Sequence, residues 1–178
     1  NNALLTAESG EDGVFTFENV VYGSYTVREL RPAAGYLENE TVYSVTVDED
    51  GDVVEISVVN DLIPEIGTTA SIDGEKEVCA TEVFTLTDTV EYKHLVPGKE
   101  YTLTGTLMVK GILMDRATGE PFLQNGEQIT SEVTFVPKAP SGSVEVLFTF
   151  DAKLIKTDTN IVVFESLYSD SKELTVHA

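Results

Sequence analysis

Five polar side chains fall where the alternation of the surrounding strands predicts an apolar one. Successive side chains of a β-strand point to opposite faces of the sheet, so residues two apart share a face. Glu29, for example, shares its face with Tyr25 and Val27. The full set is Glu29, Asn60, Thr68, Asp88 and Glu165. Since an unpaired carboxyl or amide is costly to bury, the set indicates either buried hydrogen-bond networks or edge strands, or a chemical role.

These residue types could form a covalent bond between strands. An amine or hydroxyl can attack a side-chain carboxamide when the two groups are held together in a dry core, because fixed proximity replaces a bimolecular encounter. A carboxyl in apolar surroundings has a raised pKa, stays protonated and can polarise the amide carbonyl. A buried Lys loses its proton for the same reason and becomes nucleophilic. The product would be an inter-strand cross-link, with ammonia released.

The amino-acid composition limits the classes of molecule that the chain is expected to bind. The 31 acidic residues against 11 Lys and Arg give a net charge of -20, which argues against nucleic acid and against an anionic membrane surface. No apolar run is long enough to span a membrane, so we expect no direct membrane contact. Cys79 is the only cysteine, which excludes a disulfide within the chain and favours a buried, inert thiol.

The strand pattern predicts an all-β chain with two parts. Alternating segments broken by Gly, Asp and Asn are expected at 13–17, 22–30, 41–47, 53–60, 66–72, 83–92, 100–109, 130–136, 143–151, 160–168 and 173–178. Pro64 cannot donate to a central ladder, so the short stretch 62–65 is interpreted as a linker. The prediction is two tandem Ig-like or prealbumin-like β-sandwich domains, 1–61 and 66–178.

Standard enzyme and metal sites are missing from the sequence. There is no glycine-rich phosphate loop, and with His94 and His177 the only histidines, a metal site is not expected. The acidic loop 48–52 is interpreted as a hairpin turn rather than a calcium site. Asp88 and Glu165 could form a glycosidase pair, but the chain has no Trp for a sugar platform. We expect no cofactor and no enzyme activity on an external substrate.

The first part resembles the collagen-adhesin B-type domains (CnaB, SpaA-like, prealbumin-like) of Gram-positive surface proteins. The resemblance lies in the continuous stretch 6–30, in 34–36 and in 58–60. It implies an isopeptide bond between a Lys of the first strand and an Asn of the last, with a Glu as catalyst. Glu29 matches the catalytic Glu and Asn60 the acceptor, while the Lys strand is expected upstream of residue 1.

The second part resembles the VaFE repeat, an ester-bond-forming domain of Gram-positive adhesin stalks. The matching motifs are 66–70, 88–92, 95–101, 105–107, 118–121 and 162–165. The resemblance implies an ester between a first-strand Thr and a last-strand Gln, assisted by an acidic pair and a His. By position these are Thr68, Asp88, Glu165 and His177, although His177 is out of phase with Leu174 and Val176. The Gln is expected beyond residue 178, since Gln124 and Gln128 flank a turn.

Both domains are therefore expected to be truncated at the chain ends. The predicted function is a structural stalk module of a cell-wall-attached adhesin or pilin, extracellular in a Gram-positive bacterium. Its expected partners are neighbouring domains of the same polypeptide, with host surface ligands as a further candidate. Two alternatives stay open: an Ig-like module that binds a ligand directly, and an accessory β-sandwich of a secreted enzyme.

Overall fold

The computed structural model of this chain describes residues 4–77, 83–110, 119–151, 153 and 160–178. Cys79 and the start of the 118–121 motif lie outside this described part. The described strands are β1 (Gly23–Val27), β2 (Tyr43–Val47), β3 (Glu65–Ile72), β4 (Val83–Lys93), β5 (Tyr101–Lys110), β6 (Glu120–Pro121), β7 (Leu123–Gln124), β8 (Glu127–Gln128), β9 (Thr130–Phe135), β10 (Gly142–Asp151), β11 (Asn160–Ser169) and β12 (Lys172–His177). The described ranges contain no α-helix, and the all-β prediction is confirmed. None of their elements is a helix of the length and apolar character needed to cross a membrane.

The chain divides into two compact units, Asn1–Asn60 and Asp61–Ala178. In the first unit β1 and β2 pair antiparallel, with Tyr25 opposite Val45. The predicted strands 13–17 and 53–60 carry no strand hydrogen-bond pattern in this unit, and both predictions are wrong. The alternation at 53–60 nevertheless sets the side-chain faces, because Ile56, Val58 and Asn60 are half-buried while their neighbours are exposed.

The acidic segment after β2 closes a turn. The backbone N–H of Asp52 donates to the Glu49 carbonyl oxygen at 3.4 Å. In return the Glu49 N–H donates to Asp52 Oδ2 at 3.1 Å. Gly51 has φ +85°, a left-handed conformation that glycine adopts without steric cost. These contacts fit the turn chemistry inferred from the sequence.

The second unit is a β-sandwich built on one hydrophobic core. One sheet has the order β10-β4-β3, and the other has β12-β11-β5-β6, with β9 also pairing with β5. Inward side chains of both sheets, together with Leu95 and Phe122 from the connections, form the core. Its members are Leu86, Val90, Tyr92, Leu95, Tyr101, Leu103, Leu107, Phe122, Val146, Phe148, Phe150, Val163 and Leu167. Strict alternation along β4, β5 and β11 places one face of each strand in this core and the other toward solvent.

The start of the second unit is held against its own sheet. Pro64 is buried, and β3 begins at Glu65 rather than at residue 66. Glu65 pairs with Lys93 on β4, and their side chains form an ion pair at 3.1 Å. His94 Nδ1 lies 3.3 Å from the Ile63 carbonyl oxygen, which assigns the proton to that nitrogen. These contacts fix the direction in which β3 enters the sandwich.

Candidate functional site

Two carboxyl groups lie in the core of the second unit. Asp88 comes from the centre of β4 and Glu165 from the centre of β11, so each sheet contributes one. Their exposed fractions are 0% and 1%. None of their four carboxyl oxygens is in hydrogen-bonding geometry with a partner among the described residues, although Thr68 and the other carboxyl lie near enough to influence the pKa of Asp88. A buried polar group without a partner costs free energy, so this pair requires a further explanation.

The environment keeps the pair protonated. Burial raises the pKa of Glu165 to about 9, with the neighbouring Asp88 carboxyl adding to the effect. Burial also raises the pKa of Asp88, although Glu165, His177 and Thr68 lower it in part. Two carboxyls in one apolar site cannot both ionise cheaply, because they repel each other in a medium of low dielectric. At neutral pH the site therefore holds at least one proton that it can donate to an oxygen atom.

Thr68 lies beside this pair. On β3 it pairs with Val90, and Ala70 pairs with Asp88, so the Thr68 side chain is the diagonal neighbour of the Asp88 side chain on one face. Thr68 is half-buried, whereas Thr69 is exposed on the other face of the sheet. The alternation thus brings the Thr68 hydroxyl, and not that of Thr69, toward the carboxyl pair.

His177 reaches the same site through a β-bulge. On β12 it pairs with Glu165, and it lies near enough to Asp88 to lower the pKa of that carboxyl through a Coulombic interaction. The β11–β12 register shifts between Leu167 and Tyr168, which adds one residue to β12 at this point. This extra residue lets Leu174 and His177 both be half-buried while Val176 is exposed. Strict alternation assigns these two residues to opposite faces, so the bulge resolves the mismatch of phase.

The first unit holds a second polar cluster, formed by Glu29 and Asn60. Asn60 Nδ2 lies 2.9 Å from Glu29 Oε1 and 2.7 Å from Glu29 Oε2. The same Nδ2 donates to the Leu37 carbonyl oxygen at 2.9 Å. Since a carbonyl only accepts, the Leu37 contact fixes which end of the Asn60 carboxamide is nitrogen. The Glu29 carboxyl therefore contacts the amide nitrogen of Asn60.

Asn39 organises this cluster and was missed by sequence reasoning. Its backbone N–H donates to Glu29 Oε2 at 2.7 Å, and its Nδ2 donates to the Val59 carbonyl oxygen at 2.8 Å. Its Oδ1 accepts from the Thr41 N–H at 2.8 Å. Asn39 thus connects the catalytic candidate Glu29 to the residue that precedes Asn60. It lies in a loop without strand alternation, so the only sequence signal was the tendency of Asn to bond nearby backbone groups.

The cross-linking partners expected for these sites are not found inside the chain. Residues 1–61 contain no Lys, and Gln124 and Gln128 are the only glutamines. Gln124 Oε1 accepts from the Asp151 N–H at 3.0 Å, and Asp151 pairs with Val83 at the far end of β4. Asp88 lies five positions after Val83 along β4, a distance of about 17 Å. Gln124 is therefore held away from the carboxyl pair.

The comparisons with known families divide the chain as its two units do. Residues 64–178 match the T-Q ester bond containing domain, and residues 1–62 match the SpaA prealbumin-like fold domain. Both resemblances seen in the sequence are thereby confirmed. No match was found among the curated proteins.

A comparison with solved structures finds a bacterial adhesin from Mobiluncus mulieris, which contains intramolecular disulfide, isopeptide and ester bond cross-links. Its crystal forms in space groups P1 and P21 both align at 20% identity with a TM-score of 0.49. The alignment covers 64% of this chain and 48% of the adhesin, so the chain spans about half the length of that protein.

The T-Q match extends over most of the chain, including Thr68, both buried carboxyls and His177. The chain belongs to the family of proteins with a T-Q ester bond containing domain, which here follows a prealbumin-like domain.

Proposed function

We propose that this chain is a structural stalk module of a bacterial surface adhesin or pilin, in which an internal covalent bond closes each domain. The observation that carries the proposal is the buried pair Asp88 and Glu165, whose oxygens have no hydrogen-bond partner in the described residues. Such a pair destabilises a core that has only a structural role. The adjacent Thr68 hydroxyl is a nucleophile whose reaction with a carboxamide the protonated pair can assist.

The ester forms between Thr68 and a Gln side chain. The Thr68 oxygen attacks the carboxamide carbon, and His177 takes the hydroxyl proton. The proton held by Asp88 and Glu165 stabilises the carbonyl oxygen while it carries negative charge. The carbon–nitrogen bond then breaks, the nitrogen takes the proton from His177, and ammonia leaves. Hydroxyl and amide are thus converted into ester and ammonia without any oxidant, reductant or cofactor.

The isopeptide forms between a Lys amine and Asn60. The neutral amine attacks the Asn60 carboxamide carbon, and Glu29 accepts the proton that the amine loses. Because Glu29 already contacts the Asn60 nitrogen at 2.7 and 2.9 Å, it can pass that proton to the departing nitrogen. An amide and ammonia result. The Leu37 carbonyl supports this step, since it orients the nitrogen toward Glu29.

In this proposal the missing partners come from the parent polypeptide. A strand before residue 1 supplies the Lys, and a strand after residue 178 supplies the Gln. The position of His177 on β12, directly opposite Glu165, supports a C-terminal source for the Gln because the same strand leads toward the carboxyl pair. β3 lies close to β11 and β12 of the facing sheet. This proximity supports a bond between Thr68 on β3 and a Gln of the chain that continues from β12.

The benefit of such bonds is mechanical. A covalent tie between the first and last strands carries a pulling force past the folded core, so the core is not unfolded by it. The tie also restricts the unfolded chain, as a disulfide does, and thereby raises the free energy of unfolding. Each bond forms once per molecule, so the chain acts on itself and is not an enzyme for other substrates.

The surroundings of such a stalk follow from the same proposal. We place it outside the cell, attached to the wall of a Gram-positive bacterium. Neighbouring domains of the same polypeptide are its direct partners in this proposal, and host surface ligands are a further candidate. A net charge of -20 suits a soluble extracellular protein whose copies repel one another.

Intact mass spectrometry of the parent protein, including both flanking strands, tests the proposal. We expect a mass lower than the sequence mass by two ammonia molecules. Thr68→Ala should restore one and Asn60→Ala the other, while Thr69→Ala should restore none. A mass equal to the sequence mass would overturn the proposal.

A further inference from the structure

Gly105 occupies an unusual position for a glycine. It lies in the middle of β5, where glycine weakens a strand, and its φ is not in the left-handed region. Nothing in its backbone conformation therefore requires a glycine. It pairs directly with Glu165 on β11.

The lack of room for a side chain explains why position 105 is a glycine. A Cβ added at Gly105 would lie 2.6 Å from Cζ of Phe148 and 3.3 Å from Oε1 of Glu165. The first distance is well inside van der Waals contact, so the Phe148 ring would have to move. The missing Cβ thus lets the end of the Phe148 ring lie against the β5 backbone beside the Glu165 carboxyl.

Phe148 also borders the other carboxyl. On β10 it lies two residues from Val146, which pairs with Asp88, and both side chains point into the core. Phe148 is 1% exposed and Val146 is 1% exposed. The ring therefore fills the space between the two sheets next to both acids, where a water molecule would otherwise hydrate them.

We propose that Gly105 and Phe148 are a positioning pair: the missing Cβ at Gly105 lets the Phe148 ring keep water away from the Asp88 and Glu165 carboxyls. This inference rests on the proposed ester chemistry only for its effect on bond formation. The effect on the protonation of the carboxyls can be measured without any cross-link.

The first experiment measures the pH dependence of unfolding in this chain. Gly105→Ala displaces the Phe148 ring and admits water. The free energy of unfolding depends on pH up to the pKa of the folded state, and we expect this upper limit to fall by about one pH unit. Gly142→Ala is the matched control, since its Cβ would meet the Tyr92 hydroxyl at 2.5 Å, away from the carboxyls. It should lower stability without moving that limit. Equal shifts in both variants, or none in Gly105→Ala, would overturn the proposal.

A double variant covers the case in which Gly105→Ala does not fold. Leu lacks the atoms at the end of the Phe ring, so Phe148→Leu leaves room for the methyl group that Gly105→Ala introduces. If the pair acts as one unit, Gly105→Ala with Phe148→Leu should have a pH profile nearer to the wild type than Phe148→Leu alone. A profile further from the wild type would contradict the inference.

The second experiment measures ester formation in the parent protein. We expect Gly105→Ala to slow the loss of ammonia by up to about tenfold when the reaction is run above the Glu165 pKa of about 9, where a fall of one pKa unit lowers the protonated population by that factor. Gly142→Ala should form the ester at the wild-type rate, and an unchanged rate in Gly105→Ala would contradict the inference. If the wild-type protein forms no ester, the proposed function fails, while the pH measurements still decide the role of Gly105 and Phe148.

Discussion

The side-chain N–H groups of Asn60 donate to the Glu29 carboxyl, with distances of 2.9 and 2.7 Å from Nδ2 to the two oxygens. The atom that Glu29 contacts is the one that must leave when the Asn60 amide is exchanged for a new one. The arrangement exists without a Lys in the unit, so the proposed acceptor and the proposed proton carrier are positioned independently of the nucleophile. Preorganisation of this kind is what an internal bond-forming reaction requires.

The first prediction concerns Glu29. Glu29→Gln keeps the shape of the side chain but removes its capacity to carry a proton between nitrogen atoms. We expect the parent protein to lose the isopeptide completely and to keep the ester, which intact mass would report as one ammonia retained. Glu38→Gln, an exposed change in the adjoining loop, is the control and should form both bonds. An isopeptide in Glu29→Gln would remove Glu29 from the mechanism.

Thr68 provides the second prediction. Thr68→Val replaces the hydroxyl by a methyl of similar shape, so the strand should persist while the nucleophile is lost. We expect no ester in this variant by intact mass. Thr69→Val changes the next residue, which is exposed on the opposite face, and should form the ester normally. Loss of the ester in Thr69→Val alone would mean that the face assignment of β3 is wrong.

The third prediction is a pH dependence of stability in the chain without its ester. The pKa of Glu165 rises from 4.5 to about 9 on folding, so the folded state holds a proton that the unfolded state releases. Stability is then greatest below the unfolded pKa and falls as pH rises toward the folded pKa, by up to about 1.4 kcal/mol per pH unit for one proton. Urea unfolding across this pH range measures the slope.

Two variants separate this effect from the general charge of the chain. Glu165→Gln removes the titrating group, so we expect a clearly flatter profile. Glu132→Gln removes an exposed carboxylate from β9 and should leave the slope as it is. A wild-type stability that rises between about pH 5 and pH 9 would contradict the predicted sign.

Asn39 gives the fourth prediction. Asn39→Ala removes hydrogen bonds to Val59 and Thr41, and we expect local opening of residues 37–41 to become easier by about 1 kcal/mol. Hydrogen exchange of the amides in this loop would show roughly a fivefold acceleration at that energy. Asn39→Asp keeps the oxygen that accepts from the Thr41 N–H and loses the Nδ2 donor to Val59. The Thr41 amide should therefore exchange more slowly in Asn39→Asp than in Asn39→Ala. Unchanged exchange in both variants would show that Asn39 does not hold the loop.

Alternation of side chains predicted the faces of the candidate site better than it predicted the strands. Asp88 and Glu165 lie inward because their neighbours at two-residue spacing are apolar, and burial enforces that phase. Residues 53–60 also alternate, yet they form no regular strand. Periodicity reports which face a side chain takes, whereas a strand needs a hydrogen-bonded partner, which one segment alone does not specify.

Contacts between distant segments were beyond the reach of the sequence pattern. The bulge opposite Leu167 depends on how β12 meets β11, and it alone explains why His177 and Leu174 both face inward. The bond between Asn39 and Val59 joins a loop to an extended segment with no shared period. Gly105 matched a family motif, but the clash that a Cβ at this position would make with Phe148 becomes visible only when the two sheets are packed together.

The neighbouring hydroxyls of Thr68 and Thr69 also bear on the register that β3 takes during folding. A slip of β3 by one residue would turn Thr68 outward and bring Thr69 opposite Val90 or Asp88, on the inward face. The proposed ester would then form on Thr69, because its hydroxyl would take the place beside the acids. The residue that carries the bond would therefore be a permanent record of the register in which the strand aligned.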